Sequence, residues 1–394
     1  MFRVNKFREW PGIFLVLRGR SEFRPGKYEA NKPPTNPDCD AAAATKPAAA
    51  EFLPVQQLRH QQMLTRTRHR SAFDKRREVR SRRRVAMAAF AGAVIGGLAV
   101  YWNRRAKQAE RENPPIGQFV STREGPLHFI EQGSGEPSIV LLHGNGTMME
   151  DFLASGVVDR LARSNRVVLF DRPGYGHSPR RRGRIWTARR HARVLEEAFA
   201  RLGLVRPVVV GHSWATLVAL VLGLDSPRQI RSLVLLSGYY NPTFRFDVLF
   251  LSPPGLPIIG PLLRWSVSPL IARIIYPAVL RRVFAPGRVS ERFLAAFPRE
   301  LALRPSQLAA SGGATGLMIP SAALLRRRYN RLAVPAFVMA GTDDRIVDPV
   351  RQSVRLAREI PNGRLYLLPG CGHMLHYQAP DTVAGIIERA SAIG

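Results

Sequence analysis

Short apolar runs bounded by glycine, proline and charged residues recur along the C-terminal two-thirds of the chain, at residues 138–142, 166–170, 208–210, 231–237, 335–340 and 364–368. Runs of this length, closed off by turn residues, predict strands buried on both faces. Helix-like segments such as 217–222 lie between them. The alternation predicts an open, mostly parallel sheet flanked by helices, of the α/β class. Residues 118–122 and 126–131 read as an opening strand pair. The alternation breaks after Ser237. From about Asn241 to Leu332 the chain is rich in Leu, Ile, Pro and Phe without strand spacing, which predicts an insertion.

A different pattern occupies residues 85–102, about 18 positions without a charge, long enough to span a hydrocarbon core as a helix. Its apolar residues lie all round such a helix, unlike those of a surface helix. Tyr101 and Trp102 sit where interfacial aromatics belong. Two rival readings are a cleaved signal peptide, which lacks a small-residue cleavage site here, and an amphipathic surface helix. Gly92 and Gly96 form a G-x-x-x-G pair that would permit a homodimer through close helix pairing. The organisation expected is therefore a basic, mostly disordered region at 1–84, a transmembrane helix at 85–102, a linker at 103–116 and an α/β domain at 117–394. The alanine- and proline-rich tract at 40–50 supports disorder in the first region, and Met63 is an alternative start.

Charge sharpens the picture. The formal net charge is +30, with about half of the excess before residue 113. About ten Lys and Arg lie within 20 residues before the apolar run and about four after it, which by the positive-inside rule keeps the N-terminus cytoplasmic. The α/β domain then lies outside, on the periplasmic face if the source is bacterial. The basic runs Arg180 to Arg182 and Arg326 to Arg328 lack interleaved aromatics, so an arginine-rich face near anionic lipid is favoured over nucleic-acid binding. The two cysteines, Cys39 and Cys371, make no disulfide framework.

Candidate chemistry sits where the strands end. Gly211-His212-Ser213-Trp214-Ala215 joins a strand to a helix. A serine at such a sharp turn, with small residues two positions either side, is presented as a nucleophile. The strand at 335–340 is followed by Asp343 and Asp344, and that at 364–368 by the glycine-rich loop holding Cys371 and His373. Ser, Asp and His in that order, each after a strand, predict a catalytic triad of Ser213, Asp344 and His373. Asp343 is the competing acid. His376 is read as a supporting or surface histidine, His143 and His212 as loop supports, and Cys371 as a small packed residue.

From about Gly117 onward the chain resembles the α/β-hydrolase superfamily, in the branch of small esterases, haloperoxidase-like enzymes and carbon–carbon bond hydrolases. The resemblance is carried by His143-Gly144-Asn145-Gly146-Thr147, by Asp171-Arg172-Pro173-Gly174-Tyr175-Gly176-His177-Ser178, and by the Ser213, Asp344 and His373 loops. It implies an eight-stranded, mostly parallel sheet with a helical cap at about 241–332. It also implies an oxyanion hole from the backbone N–H groups of Asn145 and Trp214, and neither cofactor nor metal. Three departures stand out. Ala215 replaces a glycine, a mild change. Gln378 stands where many relatives carry Glu, which removes a salt bridge. Asn145 and Trp214 resemble the halide-gripping pair of haloalkane dehalogenases, whose nucleophile is an aspartate; a serine alkyl ether could not be hydrolysed as an ester intermediate is.

The expected activity is cleavage of a carboxylic ester, or a related small acyl compound with an apolar portion, through an acyl-enzyme. The alternatives are carbon–carbon bond hydrolysis or haloperoxidase-like perhydrolysis on the same triad, and a non-catalytic, membrane-anchored interaction protein of the same fold.

Overall fold

Eight strands form one sheet in the order β1-β2-β4-β3-β5-β6-β7-β8. The computed structural model describes residues 55–393. Of the chain's two units, residues 1–75 and 76–394, the second holds the sheet; the tract at 40–50 and Cys39 lie outside the described residues. The strands are β1 (Gln118–Thr122), β2 (Gly125–Gln132), β3 (Ile139–Leu142), β4 (Val167–Phe170), β5 (Val208–His212), β6 (Ser232–Leu236), β7 (Ala336–Gly341) and β8 (Gly363–Leu368). β1 pairs antiparallel with β2, and β2 with β4, while every pairing from β4 to β8 is parallel.

The central strands are apolar without alternation because both their faces are covered. Helices Ala188–Arg201 and Ala215–Asp225 pack one face through Leu195, Phe199, Leu217 and Leu220. Helices Val157–Leu161 and Pro380–Ala392 pack the other through Val158, Leu161, Val383 and Ile387. β3, β5, β7 and β8 run in the same direction, so the loops that follow them emerge at one edge. Parallel order is what brings residues 145, 213, 344 and 373 to a common rim.

Between β6 and β7 the chain is helical, in segments that include Phe246–Leu251, Gly260–Arg264, Ser268–Phe284 and Pro305–Arg326. This is the cap. Phe284, Phe293, Phe297 and Leu301 join Met148, Tyr175 and Met374 in a separate apolar cluster that seats it on the main domain. Packing thus accounts for part of the cap's apolar composition. Phe246, Phe250, Ile258 and Ile274 remain exposed.

The N-terminal expectation needs correction. A single helix runs from Val55 to Glu112, so residues 55–84 of the region expected to be disordered are helical, and the expected linker 103–116 is helical to Glu112. No Gly or Pro interrupts the stretch from Val55 to Ala91, and its Arg, Gln and Ala content favours helix. The helix ends where Asn113 folds its side chain onto the Ala109 carbonyl at 2.9 Å, before Pro114 and Pro115. Val85, Met87 and Phe90 are exposed, whereas Trp102 and Ala109 are buried. By length and composition alone, two helices among the described residues could cross a membrane, Lys75–Glu112 and Pro305–Arg326. The second is a cap helix whose Ala309, Ala314 and Leu325 are buried.

Candidate active site

Ser213 follows β5 with φ at +53°, the left-handed region that L-residues rarely adopt. This kink lifts its Oγ above the sheet. Gly211 makes the turn possible, because a Cβ there would lie 2.8 Å from the Ala215 carbonyl oxygen. Ala215 is fully buried and its methyl is accommodated.

The Ser213 hydroxyl faces His373 Nε2 at 3.0 Å, and His373 Nδ1 lies 2.8 Å from Asp344 Oδ2. Since a carboxylate can only accept, Nδ1 carries the proton and Nε2 is left to take the serine's. The other carboxylate oxygen of Asp344 accepts from the backbone N–H groups of Ile346 and Val347, at 2.8 and 2.9 Å. Asp343 is exposed, and its Oδ1 takes a hydrogen bond from Thr342. Geometry therefore joins Asp344, not Asp343, to His373.

The loop after β3 abuts the nucleophile: a Cβ on Gly144 would sit 3.3 Å from that of Ser213. This brings Asn145 beside Trp214. Their side chains point away from Ser213, toward the cap. Asn145 Nδ2 donates to the Ser311 carbonyl at 3.2 Å and to Thr315 Oγ1 at 2.9 Å, while its Oδ1 accepts from the Tyr175 hydroxyl at 2.6 Å. The Trp214 indole N–H donates to the Ala314 carbonyl. These side-chain donors hold helix Pro305–Arg326.

Arg172 was not singled out by the sequence. It is fully buried, with its guanidinium 4.3 Å from the Tyr175 ring centroid and 4.7 Å from that of Trp214. Its Nε and Nη2 donate to the carbonyls of His143 and Gly144 at 3.0 and 2.8 Å. One cation thus stacks on the residue after the nucleophile and anchors the β3 loop. His143 Nδ1 donates to the Gly144 carbonyl, and its Nε2 accepts from the Arg172 backbone. Burial, reinforced by the Arg172 charge, lowers the His143 pKa to about 3, so the ring stays neutral.

Behind the His373 loop lies a buried brace. His212 Nε2 donates to the His373 carbonyl at 3.1 Å. His376 Nε2 lies 3.2 Å from Asp151 Oδ1. His376 is fully buried, so it supports the loop and is not a surface residue. Burial, with nearby His376 and His373, depresses the His212 pKa well below its usual value. By donor type, Asp151, His212 and His376 could hold a metal, their ligand atoms lying within 4.8 Å of one another. His376 bonds Asp151 and His212 bonds the His373 carbonyl, while among the described residues Asp151 Oδ2, His212 Nδ1 and His376 Nδ1 are buried without a hydrogen-bond partner. Gln378 replaces the missing salt bridge with two neutral bonds: it accepts from the Gly372 N–H and donates to the Phe284 carbonyl at 2.7 Å. Cys371 is half-buried, with its pKa raised by burial and by Asp343.

A family model described as alpha/beta hydrolase fold matches residues 137–380. The chain is 26% identical over 284 residues to haloalkane dehalogenase 2 of Mycobacterium tuberculosis, covering 70% of this chain and 95% of that protein. It is 26% identical over 292 residues to 2-hydroxymuconate semialdehyde hydrolase of Pseudomonas putida, covering 71% and 95%. A solved esterase from Thermogutta terrifontis superposes with a TM-score of 0.55 at 22% identity, covering 69% of this chain and 97% of that one; this likeness speaks to fold.

Proposed function

The chain belongs to the α/β-hydrolase family, and from that premise we propose that it is a serine hydrolase acting on a carboxylic ester, or a related acyl compound, with an apolar portion. The observation that carries the reading is the unbroken Ser213–His373–Asp344 hydrogen-bond chain at the sheet rim.

Ser213 Oγ attacks the acyl carbon as its proton passes to His373 Nε2, and Asp344 stabilises the resulting imidazolium. The backbone N–H groups of Asn145 and Trp214 receive the developing oxyanion. Collapse breaks the acyl–oxygen bond, and His373 returns the proton to the leaving alkoxide. Water then loses a proton to His373 as it attacks the acyl-enzyme, which releases the acid and regenerates Ser213.

Dehalogenation is disfavoured by chemistry. Displacement of halide by Ser213 would leave an alkyl ether with no carbonyl to attack, and the side-chain N–H groups of Asn145 and Trp214 already serve the cap. Carbon–carbon bond hydrolysis stands as a second reading, supported by the likeness to 2-hydroxymuconate semialdehyde hydrolase over most of that protein's length. The same triad would then deliver its proton to a carbon leaving group.

Membrane tethering through residues 85–102 is part of the proposal, supported by the exposed apolar side chains of that segment. On this reading the catalytic domain faces outward, and the Gly92/Gly96 pair is available for dimerisation.

Turnover of nitrophenyl esters of graded chain length, a vinylogous diketone and a peroxide-dependent halogenation substrate, by wild type and Ser213→Ala, tests the assignment. The ester reading expects ester turnover that rises with acyl length and is lost in the variant. Diketone cleavage without ester cleavage would replace it with the second reading. Protease accessibility of the C-terminal domain in spheroplasts tests the orientation; protection would contradict it.

A further inference from the structure

A cavity of about 1200 Å³ lies between the cap and the loop that follows β4. Its lining contains none of Ser213, Asp344 or His373. Helix Pro305–Arg326 separates it from the triad: Gly312, Gly313 and Gly316 face the cavity, while Ala314 and Thr315 accept hydrogen bonds from Trp214 and Asn145. The volume lies somewhat above the range typical of small-ligand sites.

The lining has two characters. Six arginines line the cavity, Arg180, Arg181, Arg182, Arg184, Arg264 and Arg304, of which Arg181, Arg182 and Arg184 are exposed. Only one carboxylate joins them, Glu110, which pairs with Arg304 at 2.6 Å. Among the described residues the other five arginines have no acidic partner. Burial, with the Arg264 charge, pushes Arg180 below its ordinary pKa, against a raising effect of Tyr175. Burial and the Arg182 charge do the same to Arg264. Cations drawn from water and set against one another are electrostatically unsatisfied, and an anion between them removes both costs. The wall also holds apolar Ile185, Trp186, Val248, Leu256, Trp265 and Leu317, beside the polar His177, Ser178, Ser252 and Ser306.

We infer that this cavity binds an anionic amphiphile, its acidic head held by Arg180, Arg182 and Arg264 and its hydrocarbon portion lying along the cap. Exposed apolar side chains on the cap favour a lipid surface as the source. Helix Phe246–Leu251 contributes Val248 to the cavity, while Phe246, Leu249 and Phe250 are 71%, 68% and 74% exposed. Ile258 and Ile274, also of the cap, are 88% and 69% exposed. The end of the apolar run is fastened beside it: the Trp102 indole donates to the Ser266 carbonyl at 2.7 Å, next to Trp265 of the cavity wall. If residues 85–102 cross a bilayer, the cap's apolar face and the mouth of the arginine cavity stand at its surface. The lipid source rests on that tethering reading. The anion site does not.

The full chain, purified in a neutral maltoside, is titrated with phosphatidylglycerol, with phosphatidylcholine of the same acyl chains, and with inorganic phosphate, and bound ligand is read by native mass spectrometry. Wild type is expected to retain phosphatidylglycerol at least about tenfold better than phosphatidylcholine, and Arg180→Gln/Arg264→Gln to lose about that factor. Equal retention of the two lipids, or retention unchanged in the variant, overturns the proposal. Phosphate bound as tightly as phosphatidylglycerol would leave a free-anion site and overturn the amphiphile. Nitrophenyl acetate turnover in the variant is expected to match wild type, since neither arginine belongs to the catalytic machinery. Should the double variant aggregate, the exposed Arg182→Gln gives the same comparison. Absence of esterase activity in wild type would sink the hydrolase reading while the lipid comparison still decides the cavity.

Discussion

The indole N–H of Trp214 donates to the backbone carbonyl of Ala314 at 2.8 Å. The residue after the nucleophile is thereby fastened to the cap helix Pro305–Arg326, and Asn145 makes the matching attachment from the β3 loop. Both residues of the proposed oxyanion hole are thus hydrogen-bonded to the helix above them. A pair of side-chain donors that could have faced a substrate has become a clamp on the cap.

Trp214→Phe keeps an aromatic ring but removes the donor and part of the buried indole's volume. The Ala314 carbonyl is left unpaired, at a cost of about 1–3 kcal/mol. Scanning fluorimetry should register a lower melting midpoint, together with reduced ester turnover. An unchanged midpoint would dismiss the clamp. Ser213→Asp should release no halide from haloalkanes, because its neighbours' donors are already engaged.

Asp344→Asn removes the charge that holds His373, and kcat should fall by roughly 10⁴-fold, the loss typical when a triad acid is neutralised. Asp343→Asn should remain within about twofold, as expected for an exposed side chain away from the chemistry. The reverse ranking would move the acid to the neighbouring position.

Arg172→Met preserves bulk but takes a charged donor from the His143 carbonyl and from the Gly144 carbonyl, which keeps its bond from His143 Nδ1. Destabilisation of about 2–5 kcal/mol is expected from two buried acceptors losing a charged partner. Arg172→Lys should not rescue it, because an ammonium cannot span both carbonyls while stacking on Tyr175 and Trp214. Wild-type stability in the lysine variant would show that the flat fork is unnecessary.

Glu150 gives the pH dependence a sign. Burial, with the neighbouring Asp171 charge, raises its pKa to about 8 from the usual 4.5. The native state therefore holds this proton across the interval where the unfolded chain has lost it, and stability falls as pH rises through that interval. Buried neutral His143 acts in the opposite sense below about 6.5, so the Glu150 contribution is cleanest between pH 6.5 and 8. Over that range Glu150→Gln should flatten the decline in melting midpoint. An identical slope in the variant would remove Glu150 from the account.

The strands were legible because a strand buried on both faces writes itself as an unbroken apolar run, as in β3, β4 and β6. The triad was legible because turn chemistry marks each loop: Gly211 before Ser213, Gly341 before Asp344, Gly372 before His373. What the sequence concealed depends on contacts across long separations. Nothing local marks Arg172 as the cation between Tyr175 and Trp214, and nothing near His376 announces Asp151, 225 positions away. The helix from Val55 is hidden because a basic segment with little hydrophobic periodicity reads as disordered. Arginine and glutamine are good helix formers even without an apolar stripe. The arginine cavity is likewise assembled from the β4 loop, the cap and the end of the N-terminal helix, which no short window contains.

Reaction with a fluorophosphonate probe, read by mass spectrometry of the intact and digested full-length protein, is the most direct measurement of whether Ser213 is an activated nucleophile. One phosphonyl adduct is predicted, on Ser213, absent from Ser213→Ala and strongly diminished in His373→Ala. Folded wild-type protein that stays unlabelled while a control esterase reacts, or an adduct on another residue that persists in Ser213→Ala, would contradict it.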